Sequence, residues 1–149
     1  MRLSSFSYKQ AIGAAYARCC HRHTGIDRVA IVDFDVHHGN GTEDIVKALV
    51  PRVEEAKVVT PFCSGVLQQP LVLDVGMPLP EGDDTPGSSR HRWRDVYRKE
   101  ILPKLAAFKP DLILVSAGFD AHKKDSINYG YIGLLEEDYE WVTQQLVQV

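Results

Sequence analysis

Residues 28–42, RVAIVDFDVHHGNGT, constrain the fold of this chain more than any other stretch. Val29, Ala30, Ile31 and Val32 are apolar without alternation, the pattern of a strand covered on both faces. The run leads straight into Asp33, Asp35, His37 and His38, then Gly39, Asn40, Gly41 and Thr42. Alternation along an extended chain points Asp33, Asp35 and His37 to one side. Two carboxylates and an imidazole held together at a strand end are costly to bury without a cation. Imidazole with carboxylate oxygens suits Zn²⁺, whereas a mostly oxygen site suits Mg²⁺ or Mn²⁺.

The flanking segments supply the rest of the architecture. Residues 8–22 read as a helix, with Ala11, Ile12, Ala15, Tyr16 and Cys19 at helical spacing and Gly25 as its stop. Thr42 can cap a short helix whose Ile45, Ala48 and Leu49 face inward. Residues 57–60 and 71–75 are candidate strands among prolines, and residues 76–89 read as an extended loop. A helix starting at Ser88 or Ser89 carries Trp93, Val96, Tyr97, Ile101, Leu105 and Phe108 along one face. Pro103 is expected to kink it and Pro110 to end it. Residues 111–117, DLILVSA, read as a second buried strand, running into Gly118, Phe119, Asp120, Ala121 and His122. A final helix is expected at residues 136–147, acidic at its start and apolar at Trp141, Val142 and Leu146.

Helices alternating with fully buried strands predict an α/β fold, three layers with a mainly parallel sheet. At 149 residues the chain has room for one such domain. Ligands of these sheets bind beyond the carboxyl ends of the strands. Asp35 and His37 follow one buried strand and Asp120 follows another. If the strands are neighbours, an Asp-His-Asp set forms with a position left open for water or substrate, as in a catalytic zinc site. A Mg²⁺-dependent phosphotransferase also begins with a strand and D-x-D, but a histidine at position 37 argues against it.

Composition excludes several other classes. A formal net charge of -3 gives no general attraction to nucleic acid. No apolar run approaches membrane-spanning length, and residues 1–10 lack the apolar core of a secretory signal. The three cysteines, Cys19, Cys20 and Cys63, form no disulfide framework and fit a reducing compartment. Cys19, Cys20, His21 and His23 do not make a zinc finger, because adjacent cysteines on a helix end cannot face one site.

DFDVHHGNGTED (33–44) together with LILVSAGFDAHKKD (112–125) resembles the zinc-dependent histone deacetylase family. MPLPEGDD (77–84) and LEEDYEWVTQQL (135–146) are similar to further segments of it, in the same order. Asn40 and GFDAH (118–122) look more like class II and bacterial deacetylase-like members than class I. The resemblance implies an arginase/deacetylase-like fold and a partial deacetylase domain over residues 1–149, core about 8–147, incomplete at both ends. It implies hydrolysis of acetyl-lysine amides with Asp35, His37 and Asp120 as zinc ligands. It gives Asp33 and Asn40 supporting roles toward the family's catalytic histidines, and places a structural potassium site at the backbone of Asp33, Asp35 and His37. That histidine pair belongs upstream of the first helix and an oxyanion tyrosine downstream of Val149. Acetylated proteins such as histone tails are the implied substrates, corepressor-type proteins the implied partners, and nucleus or cytoplasm the implied location. Residues 58–76, VVTPFCSGVLQQPLVLDVG, depart from the family pattern.

Overall fold

The computed structural model describes residues 8–35, 71–74, 88–126 and 132–149. Its sheet has three parallel strands in the order β2-β1-β3: β1 is Val29–Asp33, β2 Leu71–Asp74 and β3 Leu112–Ser116. All five residues of the central strand β1 are buried, as its unbroken apolar run requires. Val29 and Ile31 pack with Ala14 and Ala17 of α1 (Tyr8–Cys20). Ala30, Val32 and Phe34 pack into the opposite layer, with Trp93, Tyr97, Tyr139 and Val142. That layer consists of α2 (Ser88–Val96), a π turn (Tyr97–Ile101) and α3 (Leu102–Phe108), continuous with one another, and of α4 (Glu136–Val147). The three-layer parallel α/β class read from the sequence is the observed one.

The kink expected at Pro103 takes the form of the π turn. A proline ring removes one helical donor and crowds the carbonyl four residues back, here Lys99. The turn just before it widens, and the Leu102 N–H donates to the Tyr97 carbonyl. α3 then ends as foreseen before Pro110, with Lys109 in the left-handed conformation (φ 52°) and its N–H on the Leu105 carbonyl at 2.9 Å.

Two expectations need correction. The first helix ends at Cys20 and, of the predicted face, buries Ala11 but not Ile12, Tyr16 or Cys19. Ala11, Ala14 and Ala17 lie inward, while Ile12 is 63% and Tyr16 59% exposed and Cys19 is exposed. Small side chains let the helix approach the sheet closely. A Cβ on Gly13 would already touch Leu114 Cδ1 at 3.4 Å. β3 is half-buried rather than fully buried, with Val115 39% exposed. Among the described residues it is paired on one edge, to β1. The helix expected after Thr42, the strand at 57–60 and the loop at 76–87 lie outside the described residues.

Two carboxylates each tie together two elements of one layer. Asp111, just before β3, accepts the backbone N–H groups of Asp27 (3.0 Å) and Arg28 (2.7 Å), and Arg28 Nη2 lies 3.3 Å from its other oxygen. The Arg28 and Asp27 N–H groups hold the Asp111 carboxyl below the ordinary carboxylate range. This clamp pins the amino ends of β1 and β3 in register. In the helical layer Asp138 is fully buried. Its Oδ1 accepts from Arg94 Nε at 2.6 Å, and its Oδ2 accepts from Arg90 Nε and from the Leu135 N–H at 2.9 Å. Burial pushes the Asp138 carboxyl up, but these donors outweigh it and hold it below the ordinary range.

A depressed folded-state pKa contributes stability above the unfolded value and loses it as pH falls through the folded value. Urea midpoints are therefore expected to drop once pH falls below about 4, the ordinary carboxylate range. Asp138→Asn is expected to flatten that drop. An equal acid dependence in wild type and Asp138→Asn would show that this carboxylate carries none of the linkage.

Candidate functional site

The clamp at the amino ends delivers the carboxyl ends of β1 and β3 together. Asp33 pairs with Ser116, and the Phe34 N–H donates to the Ser116 carbonyl at 3.2 Å. Residues 34–35 and 117–120 thus leave neighbouring parallel strands at one sheet edge, where such sheets bind ligands. On the other side Asp74 of β2 stands beside Asp33 in register. Asp33 is nearly buried, and its Oδ1 accepts the Asp35 N–H at 3.1 Å, which folds the strand end onto its own carboxylate.

Gly118 closes the distance between the two segments. A Cβ placed there would lie 2.6 Å from Asp35 Cβ and 2.5 Å from Asp35 Cγ, far inside van der Waals contact. The residue therefore has to be glycine for Asp35 to stand where it does. The sequence reading included Gly118 in the second motif but gave it no role. Nothing local marks a contact between positions so far apart in the chain.

An aromatic layer lies beneath. Phe34, Phe119 and Tyr139 are in mutual ring contact, with centroids 5.0–5.9 Å apart, and Trp93 meets Tyr139 at 6.4 Å. Phe119 is 58% exposed, so this layer reaches the rim of the site. Burial pushes the Tyr139 hydroxyl up, and the charges of Asp120, Asp138 and Asp125 push it further. Burial likewise raises Tyr97, with the charge of Asp33 adding to it. The carboxylates of Asp33 and Asp120 are thus felt by phenols that stay protonated. Carboxylates over an apolar floor favour a bound cation.

Asp120 sits in a turn closed by the His122 N–H on the Phe119 carbonyl at 3.1 Å. His122 is half-buried and serves this turn. Its Nδ1 accepts the Lys124 N–H at 3.2 Å, and its Nε2 lies 3.3 Å from Glu136 Oε2. Lys124 Nζ reaches the other Glu136 oxygen at 3.0 Å. The Glu136 backbone N–H, Lys124 and His122 hold the Glu136 carboxyl down at about 2.

Of the predicted site residues, Asp33, Asp35 and Asp120 are at this edge. His37, His38 and Asn40 lie outside the described residues. Among the described residues, no three His, Cys, Asp or Glu side chains are grouped to hold a metal. The predicted set reaches beyond them through His37. Asp35 and Asp120 follow neighbouring strands at this edge, and carboxylate with imidazole donors is the combination that suits zinc.

Known proteins are similar to this chain over most of its length. The histone deacetylase domain model matches residues 6–61 and 68–149. Its break falls inside residues 58–76, the stretch that departs from the family pattern. Uncharacterized protein slr0245 of Synechocystis is 36% identical over 147 residues, covering 93% of this chain and 44% of that protein. Type-2 histone deacetylase 2 of Dictyostelium discoideum is 36% identical over 148 residues, 93% of this chain and 8% of that protein. A solved structure of the histone deacetylase Clr3 superposes with a TM-score of 0.64 at 26% identity, covering 94% of this chain and 24% of that one. The chain thus spans less than half the length of these relatives. With the family pattern matched on both sides of that break, the chain belongs to the histone deacetylase domain family.

Proposed function

We propose that this chain carries the metal-binding part of a zinc-dependent deacetylase site whose substrates are acetyl-lysine amides of histones or other proteins. The observation that supports it is the emergence of Asp35 and Asp120 from adjacent strands at one edge, with Gly118 packed against the Asp35 side chain. Residues 1–149 are then part of one deacetylase domain, with its core at about 8–147. Asp35, His37 and Asp120 are the residues to hold zinc. Bound zinc supplies a Lewis acid that polarises the acetyl carbonyl. Asp33 orients the strand end by accepting the Asp35 N–H, and Asn40 supports the acid–base group. Phe119 at the rim keeps water off one side of the site and offers the acyl-lysine stem an apolar surface.

One observation favours a second reading for the chain alone, a non-catalytic deacetylase-like unit that binds metal or protein partners. The sequence has one adjacent histidine pair, His37-His38, which the metal motif uses, and contains no Gly-Gly-Tyr. A general base and an oxyanion donor are needed for turnover. Titration of the purified chain with Co²⁺, followed by its d–d absorption, and hydrolysis of an acetyl-lysine peptide separate the readings. The expected result is one Co²⁺ per chain, lost in Asp35→Ala and Asp120→Ala, with little or no hydrolysis. Absence of site-dependent metal binding would sink the metal reading. Robust hydrolysis abolished by Asp35→Ala would sink the second reading.

A further inference from the structure

The turn that holds Asp120 has little regular structure of its own, yet it is tied to α2 by an unbroken series of bonds. Its exit is stitched to Leu134 by two backbone bonds: Leu134 N–H to the Ala121 carbonyl (3.0 Å) and Lys123 N–H to the Leu134 carbonyl (2.9 Å). The next residue, Leu135, donates its N–H to Asp138 Oδ2 at 2.9 Å. Asp138 is gripped from α2 by the Nε atoms of Arg90 and Arg94. Arg94 Nη2 also reaches the Glu137 carbonyl at 3.1 Å. Beside this joint, the Tyr139 ring meets Phe119, the residue before Asp120, edge to face at 5.0 Å.

A helix cap needs far less than this. One side-chain acceptor for the Leu135 N–H would satisfy the start of α4. Joining two helices needs less still, since a buried ion pair is often no more stable than the apolar contact that could replace it. What two guanidinium groups on one fully buried carboxylate do supply is a single defined geometry. A rotated or shifted α4 would leave a buried charge without its partners. We infer that Asp138 is a positioning residue for Asp120: the Arg90–Asp138–Arg94 joint locates the Leu134–Leu135 segment, and that segment locates the Asp120 turn. The inference rests on the reading of Asp120 as a metal ligand.

Two readouts on the full chain test it: amide hydrogen exchange at Lys123 and Leu134, and Co²⁺ affinity. The variants are Asp138→Ala, the milder Asp138→Asn, which keeps an acceptor for the Leu135 N–H, and Leu105→Ala. Leu105 is fully buried in the same core and makes none of these bonds. At a temperature where circular dichroism shows each variant folded, Asp138→Ala is expected to lose protection selectively at Lys123 and Leu134. Its Co²⁺ affinity is expected to fall roughly 10–100-fold, the usual effect of disturbing residues behind a metal ligand. Asp138→Asn should fall between Asp138→Ala and wild type, and carries the test if Asp138→Ala does not fold. Leu105→Ala should lose stability with Co²⁺ affinity nearly unchanged. Wild-type affinity in both Asp138 variants, or an equal loss in Leu105→Ala, would overturn the positioning role. A wild-type chain without Co²⁺ binding would overturn the metal reading instead. Exchange then judges the joint by itself, and unchanged protection at Lys123 and Leu134 would overturn it.

Discussion

Gly118→Ala is expected to cost both stability and metal affinity, although it adds a single methyl group. The new Cβ would meet Asp35 at its own Cβ and Cγ. A Cγ can rotate away, but a Cβ is tied to the backbone, so the strand end itself has to shift. Overpacking of this kind costs about 1–3 kcal/mol. The displaced group is the Asp35 carboxylate, so Co²⁺ affinity should fall by at least the roughly 10-fold seen when residues behind a ligand are disturbed. Urea unfolding without metal measures the first effect and Co²⁺ titration the second. A Gly118→Ala chain with wild-type values in both would show that the segment after β3 does not press on Asp35.

Trp93→Ala should have the largest effect on stability. Trp93 is almost wholly buried in the opposite layer. Its ring meets Tyr97 at 4.6 Å, Trp141 at 6.3 Å and Tyr139 at 6.4 Å. Removing a buried indole typically costs about 3–5 kcal/mol through lost transfer energy and the cavity left behind. Single domains are stable by about 5–15 kcal/mol in all. The variant should therefore retain little or no cooperative urea transition, read from the fluorescence of Trp141. That reporter lies against the guanidinium groups of Arg98 (4.8 Å) and Arg94 (5.1 Å). A loss below about 1 kcal/mol, where ordinary single substitutions fall, would contradict the packing described.

What could be read from the sequence was whatever one segment decides for itself. β1 is unbroken and apolar, and it is central and buried. α4 runs Glu136–Val147, as its acidic start and apolar spacing require. The α2–α3 stripe is core from Trp93 to Leu105. The buried face of α1 was not legible in this way. Ala11 belongs to both candidate faces, but Ala14 and Ala17 compete with Ile12, Tyr16 and Cys19 at nearly the same helical period, and hydrophobicity alone favours the larger side chains. The sheet selects the smaller one because the helix packs close. The partial exposure of β3 was hidden for a similar reason, since a strand cannot encode whether both its edges are paired. In the site, the strand-end rule put Asp33, Asp35 and Asp120 at one edge on the condition that β1 and β3 were neighbours, which the pairing of the strands meets. The contact of Gly118 with Asp35 and the grip of Arg90 and Arg94 on Asp138 join distant segments, and neither leaves a local pattern.

The clamp of Asp111 on Arg28 also sets how long a loop must close before the sheet edge exists. Those residues are 83 positions apart, and the two strands they align carry the residues of the sheet edge. Closing a loop of that length costs about 4 kcal/mol of chain entropy, beyond a constant, before any strand contact repays it. Pairing of β1 with β3 is thus expected to be slow, as non-local parallel pairing generally is. Until it happens Asp35 and Asp120 belong to separate parts of an open chain. A cation held by groups from both segments would favour the closed sheet, so its binding would be coupled to the closing.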